Sequence, residues 1–116
     1  MNVASAAVAQ ARRWYWQRIS AMVLAVCVLV HLVVLVYAVR SGLTAAAILA
    51  RTQGNGAFAA FYAVFVVACA VHVPIGVANI AREWWGLGER AALWSARAFS
   101  LVLLAMGLRA VFAVVA

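Results

Sequence analysis

The chain has no lysine and no aspartate, and its only acids are Glu83 and Glu89. Charged residues make up 9% of its 116 positions, too few to clothe a soluble domain of that size. It holds two cysteines, Cys27 and Cys69, which excludes a ferredoxin-type run of iron–sulfur ligands. Neither belongs to a C-x-x-C-H pattern, so a covalently attached c-type haem is excluded as well. No glycine-rich dinucleotide fingerprint follows a strand-like segment, and no low-complexity tract or soluble domain interrupts the chain.

What fills the sequence is apolar: 71% hydrophobic residues and a mean hydropathy of +1.12. Three runs, 19–39, 57–80 and 98–116, each approach the roughly 20 residues that carry a helix across a bilayer. Backbone in hydrocarbon must satisfy its own hydrogen bonds, so the runs are expected to be helices. The expected fold is one all-α integral membrane domain over residues 1–116, with three transmembrane helices at about 14–40, 57–84 and 94–115. Residues 1–10 are expected to be a mobile tail. The first run lacks the pattern of a cleaved secretory signal and is kept as a span. In the 40–56 connection the Ala-Ala-Ala-Ile-Leu-Ala centre predicts a short interfacial helix, closed by a Gly-Asn-Gly breaker. Gly86 and Gly88 punctuate the 81–97 connection.

All nine basic residues are arginines, and the net charge is +7. They sit at the edges of the apolar runs rather than on one polar domain, which argues against a nucleic-acid partner. Arg12, Arg13 and Arg18 precede the first run; Arg82, Arg90 and Arg97 separate the second from the third. The positive-inside rule places the N-terminus and the 81–97 connection in the cytoplasm, and the C-terminus outside. Trp14, Trp16, Trp84, Trp85 and Trp94 cluster at the same edge, as an interfacial belt does.

His31 and His72 are the only histidines, and each falls inside a span. An ionisable group at membrane depth is costly and points to function by default. At roughly 1.5 Å per residue, His31 lies about 20 Å beyond Arg18, and His72 about 15 Å before Arg82. Neutral imidazole is a common axial ligand of haem iron, and haem is an apolar plate that suits a helix bundle. Interhelical hydrogen bonding is the structural alternative. A third reading pairs Cys27 with His31 and Cys69 with His72 as a zinc or copper ligand set. Arg13, Gln17, Ser20, Leu24 and Cys27 share the His31 stripe, and Phe65, Ala68, Gly76, Asn79 and Glu83 share that of His72. The polar members gather at the cytoplasmic ends of both stripes, where haem propionates or a quinone head group would be held; a solvated helix end is the alternative. Pro74, two residues after His72, frees the carbonyl of Ala70 inside the second span.

Three segments together resemble a known family. "QRISAMVLAVCVLVHL" (17–32) is similar to the first helix of the membrane-anchor cytochrome b subunits of succinate dehydrogenase and fumarate reductase, which opens on a His/Gln-Arg-(Val/Ile)-Ser/Thr-Gly motif. "VHVPIGVANIAREW" (71–84) resembles the family's haem-ligating His followed by x-x-x-Gly, and "GLRAVFAVV" (107–115) resembles the closing helix of its di-haem form. The resemblance implies that His72 and His31 are axial ligands of haem b iron. It implies that Arg18 lies near haem propionate and quinone; the stripes themselves place Gln17, Ser20 and Arg13 toward the same groups and leave room for the haem at Gly76. Ala21 in place of the motif glycine, Trp14 in place of a quinone-binding serine, and Ala78-Asn79 in place of an Arg-His pair depart from the pattern. The resemblance therefore carries the haem ligands further than the quinone pocket.

By the same likeness, the chain anchors a flavoprotein and an iron–sulfur subunit to the cytoplasmic face of a bacterial inner membrane. Electrons then pass between those subunits, haem b and membrane quinone, with FAD and iron–sulfur clusters held only by the partners. Two six-coordinate haems need four imidazoles, so a second anchor chain, a homodimer partner or a related subunit, is expected to supply two. The rival arrangement clamps one haem between His31 and His72 of a single chain. A haem-free anchor or assembly protein, and a small metal-binding membrane protein, are the readings outside this family.

Overall fold

A computed structural model describes residues 2–116. Four helices follow one another: α1 (Val3–Ser41), α2 (Ala45–Thr52), α3 (Gly56–Glu83) and α4 (Glu89–Val115). Three of them, α1, α3 and α4, are long and apolar enough to cross a membrane. The central helix is α3, with α1 packed along one side and α4 along another; α2 packs against α4. The body is a rod of 56 × 23 × 22 Å. Its few fully buried residues are small, among them Ala78, Ala81, Ala92 and Ala96. Small residues let helices approach closely where no hydrophobic force drives them together. Most of the large apolar side chains point outward, as they do when lipid is the solvent.

The helix ends differ from the sequence expectation in two places. Helix α1 starts at Val3, so the expected tail is helical from that residue; Met1 lies outside the described residues. Alanine-rich sequence favours helix, and Asn2 caps it by accepting a hydrogen bond from the Ser5 amide at 2.8 Å. Helix α4 starts at Glu89 rather than near residue 94, because Gly88 caps it and Glu89 supplies an acid in the first turn. Hydropathy marks where lipid begins and ends, whereas capping and propensity mark where a helix does. The short helix expected in the 40–56 connection is present as α2.

The connections are tied down by donors aimed at orphan carbonyls. Gly42, at φ 119°, ends α1, and Arg51 binds that end by donating to Ser41 Oγ at 2.9 Å and to the Gly42 carbonyl at 2.8 Å. Thr52 Oγ1 donates to the Val114 carbonyl at 2.7 Å, and the Gly54 amide donates to that of Val115 at 2.8 Å. These bonds close the last turn of α4, where carbonyls have no intrahelical partner. Gly54 turns the chain at φ 69°, and Asn55 caps α3 by accepting from the Phe58 amide.

Two contacts lock α3 to α4. Gly107 lies so close to Val66 that a Cβ there would stand 2.7 Å from a valine methyl. Pro74 lacks the N–H that would bond the Ala70 carbonyl, and Ser100 of α4 replaces it by donating from Oγ at 2.6 Å. Ser100→Ala is expected to cost about 1 kcal/mol by stranding that carbonyl. In a Pro74→Ala background the helix supplies its own donor, and the same substitution should cost close to nothing. Thermal unfolding of the four variants in detergent measures the difference; an equal cost in both backgrounds would detach Ser100 from the proline.

Candidate functional site

Three contacts set the antiparallel register of α1 on α3. Gln17 faces Gly76, Ser20 faces His72, and His31 faces Tyr62. Each pair joins the stripe on α1 to the stripe on α3, so both histidines belong to one seam. His31 sits level with Tyr62, ten residues from His72 along α3. The imidazoles are therefore about 15 Å apart along the seam. Two imidazoles on one metal ion stand about 4 Å apart, at about 2 Å per bond. One haem clamped by His31 and His72 of the same chain does not fit this register.

The two imidazoles are held in similar ways by different hydroxyls. His72 Nδ1 is 3.2 Å from Ser20 Oγ, and His31 Nδ1 is 2.8 Å from the Tyr62 hydroxyl. Ser20, only 4% exposed, also donates its single proton to the Gln17 carbonyl at 3.1 Å. With that proton on the Gln17 carbonyl, Ser20 Oγ is open to accept from a His72 Nδ1–H, the tautomer that keeps the Nε2 lone pair free. A neutral imidazole in this tautomer is ready to bind a metal through Nε2.

His31 differs. Among the described residues Tyr62 has no other hydrogen-bond partner, and a phenol is a stronger donor than an imidazole N–H, so the favoured arrangement has its hydroxyl donating to Nδ1 and the ring proton on Nε2. Around this pair lies an aromatic cluster: Phe65 meets the His31 ring edge-on at 5.7 Å, and Phe58 and Phe61 pack on Tyr62. Phe65 belonged to the expected stripe; Tyr62 did not. A phenol within an apolar run was the available signal, but pairing it with His31 needs the helix register.

At the arginine-rich end of the seam, α1, α3 and α4 enclose a cleft of about 800 Å³. Arg13, Gln17 and Arg18, expected to act together, all line it with Asn79 of the expected α3 stripe, and the fold adds Arg82 and Arg97. Ser20 lies apart from these, against His72. Trp14 forms part of the wall, with the Arg18 guanidinium 4.8 Å above its ring. Arg82 donates to Asn79 Oδ1 at 2.7 Å and stands 3.8 Å from Glu89, the single ion pair among the described residues. Glu83 is exposed and does not line the cleft. Gln17 Oε1 is buried with no donor. A Cβ on Gly76 would meet Gln17 Nε2 at an ordinary 3.8 Å, so packing against α1 does not by itself demand glycine there.

No three His, Cys, Asp or Glu side chains converge among the described residues. The Cys27–His31 and Cys69–His72 set therefore does not assemble as a zinc or copper centre within one chain. Cys27 is instead buried like a small hydrophobe.

The tautomers are measurable. In ¹⁵N-histidine spectra of the haem-free chain, His72 should carry its proton on Nδ1 and His31 on Nε2. Ser20→Ala should move His72 toward the Nε2–H form and leave His31 unchanged; an unchanged His72 would remove Ser20 from the role given to it.

Compared with family models, with curated proteins and with solved structures, the chain matches none.

Proposed function

We propose that the chain is the membrane-anchor cytochrome b subunit of a succinate:quinone oxidoreductase, a succinate dehydrogenase or fumarate reductase, in a bacterial inner membrane. The arginine-rich end and the N-terminus face the cytoplasm, where a flavoprotein and an iron–sulfur subunit dock. The observation that carries the reading is the pair of imidazoles at two depths of one seam, each with Nδ1 engaged by a hydroxyl of the opposite helix. Histidines that serve only to join helices would engage a neighbour in the same way, but they leave unexplained why His72 is held with its Nε2 lone pair free.

The donor set fits haem b. His72 and His31 would hold it, one imidazole to each iron, and the separation of about 15 Å supports two haems rather than one. A second anchor chain, identical or related, supplies the opposite ligands; in a two-fold homodimer His31 meets His31 and His72 meets His72. The chemistry the haem supplies when bound is one-electron transfer between the iron–sulfur subunit and membrane quinone. Residues of this chain do the rest. Ser20 fixes the tautomer of His72, and Gly76 leaves the α3 surface flat one turn away. Arg18 and Arg13 offer guanidinium groups to propionates on the cytoplasmic side. The buried Gln17 Oε1 is an acceptor that a quinol hydroxyl would satisfy, with Trp14 as the apolar wall.

The two sites differ in cost. To offer Nε2 to an iron, His31 would shift its proton to Nδ1 and turn Tyr62 from donor to acceptor, leaving the phenol proton without a partner. Ligation at His72 changes nothing around the ring. An unmet hydroxyl costs about 1–2 kcal/mol, so hemin titration should show two phases separated by about tenfold. His72→Ala should abolish the tighter phase and His31→Ala the weaker one, followed in the Soret band. A chain that stays pale with hemin and a reconstituted complex would overturn the reading in favour of a haem-free anchor.

A further inference from the structure

The cleft holds more positive charge than the proposed redox ligands account for. Four guanidinium groups, those of Arg13, Arg18, Arg82 and Arg97, line it, and no carboxylate does. Glu89 touches Arg82 from outside at 3.8 Å with its own side chain largely exposed, so it neutralises little. Two propionates of one haem would balance two of the four charges, and a quinone head group is neutral. Two guanidinium groups remain, on α3 and α4. The same cleft has an apolar side, with Ile75 of α3 and Leu93 of α4 in its lining.

We propose that this part of the cleft is a binding site for an anionic phospholipid. Its phosphodiester lies between Arg82 and Arg97, beside Leu93, and the start of its acyl chains lies along Ile75, seven residues inward of Arg82 on α3. Three arguments select that occupant. The ligand must be an anion, because the unbalanced charge is positive. It must be amphiphilic, because the cationic groups border an apolar wall. It must be available at this depth, and the tryptophan-rich, arginine-rich end of the rod is where lipid head groups lie. Basic pockets between transmembrane helices on the cytoplasmic side bind anionic head groups through these features. Guanidinium groups add bidentate hydrogen bonds to phosphate oxygens beyond the attraction of the charge. Asn79 holds Arg82 in place at 2.7 Å, so part of the site is ordered before a ligand arrives. Bound there, the lipid would bridge α3 and α4 beside the connection that joins them.

The test is native mass spectrometry of the delipidated full chain in detergent, with added phosphatidylglycerol, phosphatidylcholine or inorganic phosphate. Phosphatidylglycerol should remain bound at activation energies that strip phosphatidylcholine. The double variant Arg82→Gln/Arg97→Gln should bind it about 25-fold more weakly, at about fivefold per basic side chain. Arg82→Lys/Arg97→Lys keeps the charge and should recover most of that loss, which separates a lost site from a misfolded protein. Equal retention of the two lipids, or unchanged binding by the Gln pair, would overturn the proposal. Inorganic phosphate that binds as tightly as phosphatidylglycerol and displaces it would also do so, by making the cleft a site for the free anion. The measurement uses haem-free protein, so a failure of the cytochrome reading leaves its outcome intact.

Discussion

The arrangement of the seam depends on one hydrogen bond, from His72 on α3 to Ser20 on α1. Ser20 spends its only proton on a carbonyl of its own helix, and that single commitment makes its oxygen an acceptor. An imidazole that donates to it from Nδ1 keeps a free lone pair on its other nitrogen. A ring proton is thus placed by a backbone carbonyl two bonds away. The interior of a membrane sharpens the effect, because no water competes for either group.

Antiparallel packing of α1 on α3 carries the same seam from the cleft, past His72, to His31. Each level has its own chemistry. The Tyr62 level is aromatic and closed around a phenol–imidazole pair. The Ser20 level has a small alcohol and a glycine one turn away. The Gln17 level opens into a cationic cleft. The surroundings of the seam are thus graded, from an aromatic level to a cationic one.

Helix α4 contributes no histidine, yet it fixes α3. Ser100 takes over the carbonyl that Pro74 leaves free, two residues from His72, and Gly107 lets the helices meet at Val66. The α3 backbone at Pro74 is therefore held by α4. At the far end, Thr52 and the Gly54 amide close α4.

Hydropathy alone determined the three spans, because a bilayer of fixed thickness demands runs of fixed length. Arginine placement and the lone histidines were equally legible, since in an apolar run any ionisable residue stands out. Helix ends were less so: Val3 and Glu89 begin helices through capping and propensity, outside the reach of a hydropathy window. Only the tertiary structure decided what each imidazole touches. Tyr62, Arg82, Arg97 and Ser100 are ordinary residues for their segments, and their roles exist only once register and rotation bring separate helices together. Sequence periodicity gives the face a residue occupies on its own helix; which residue it meets across the seam is set by how two helices slide against one another, and that is a property of packing.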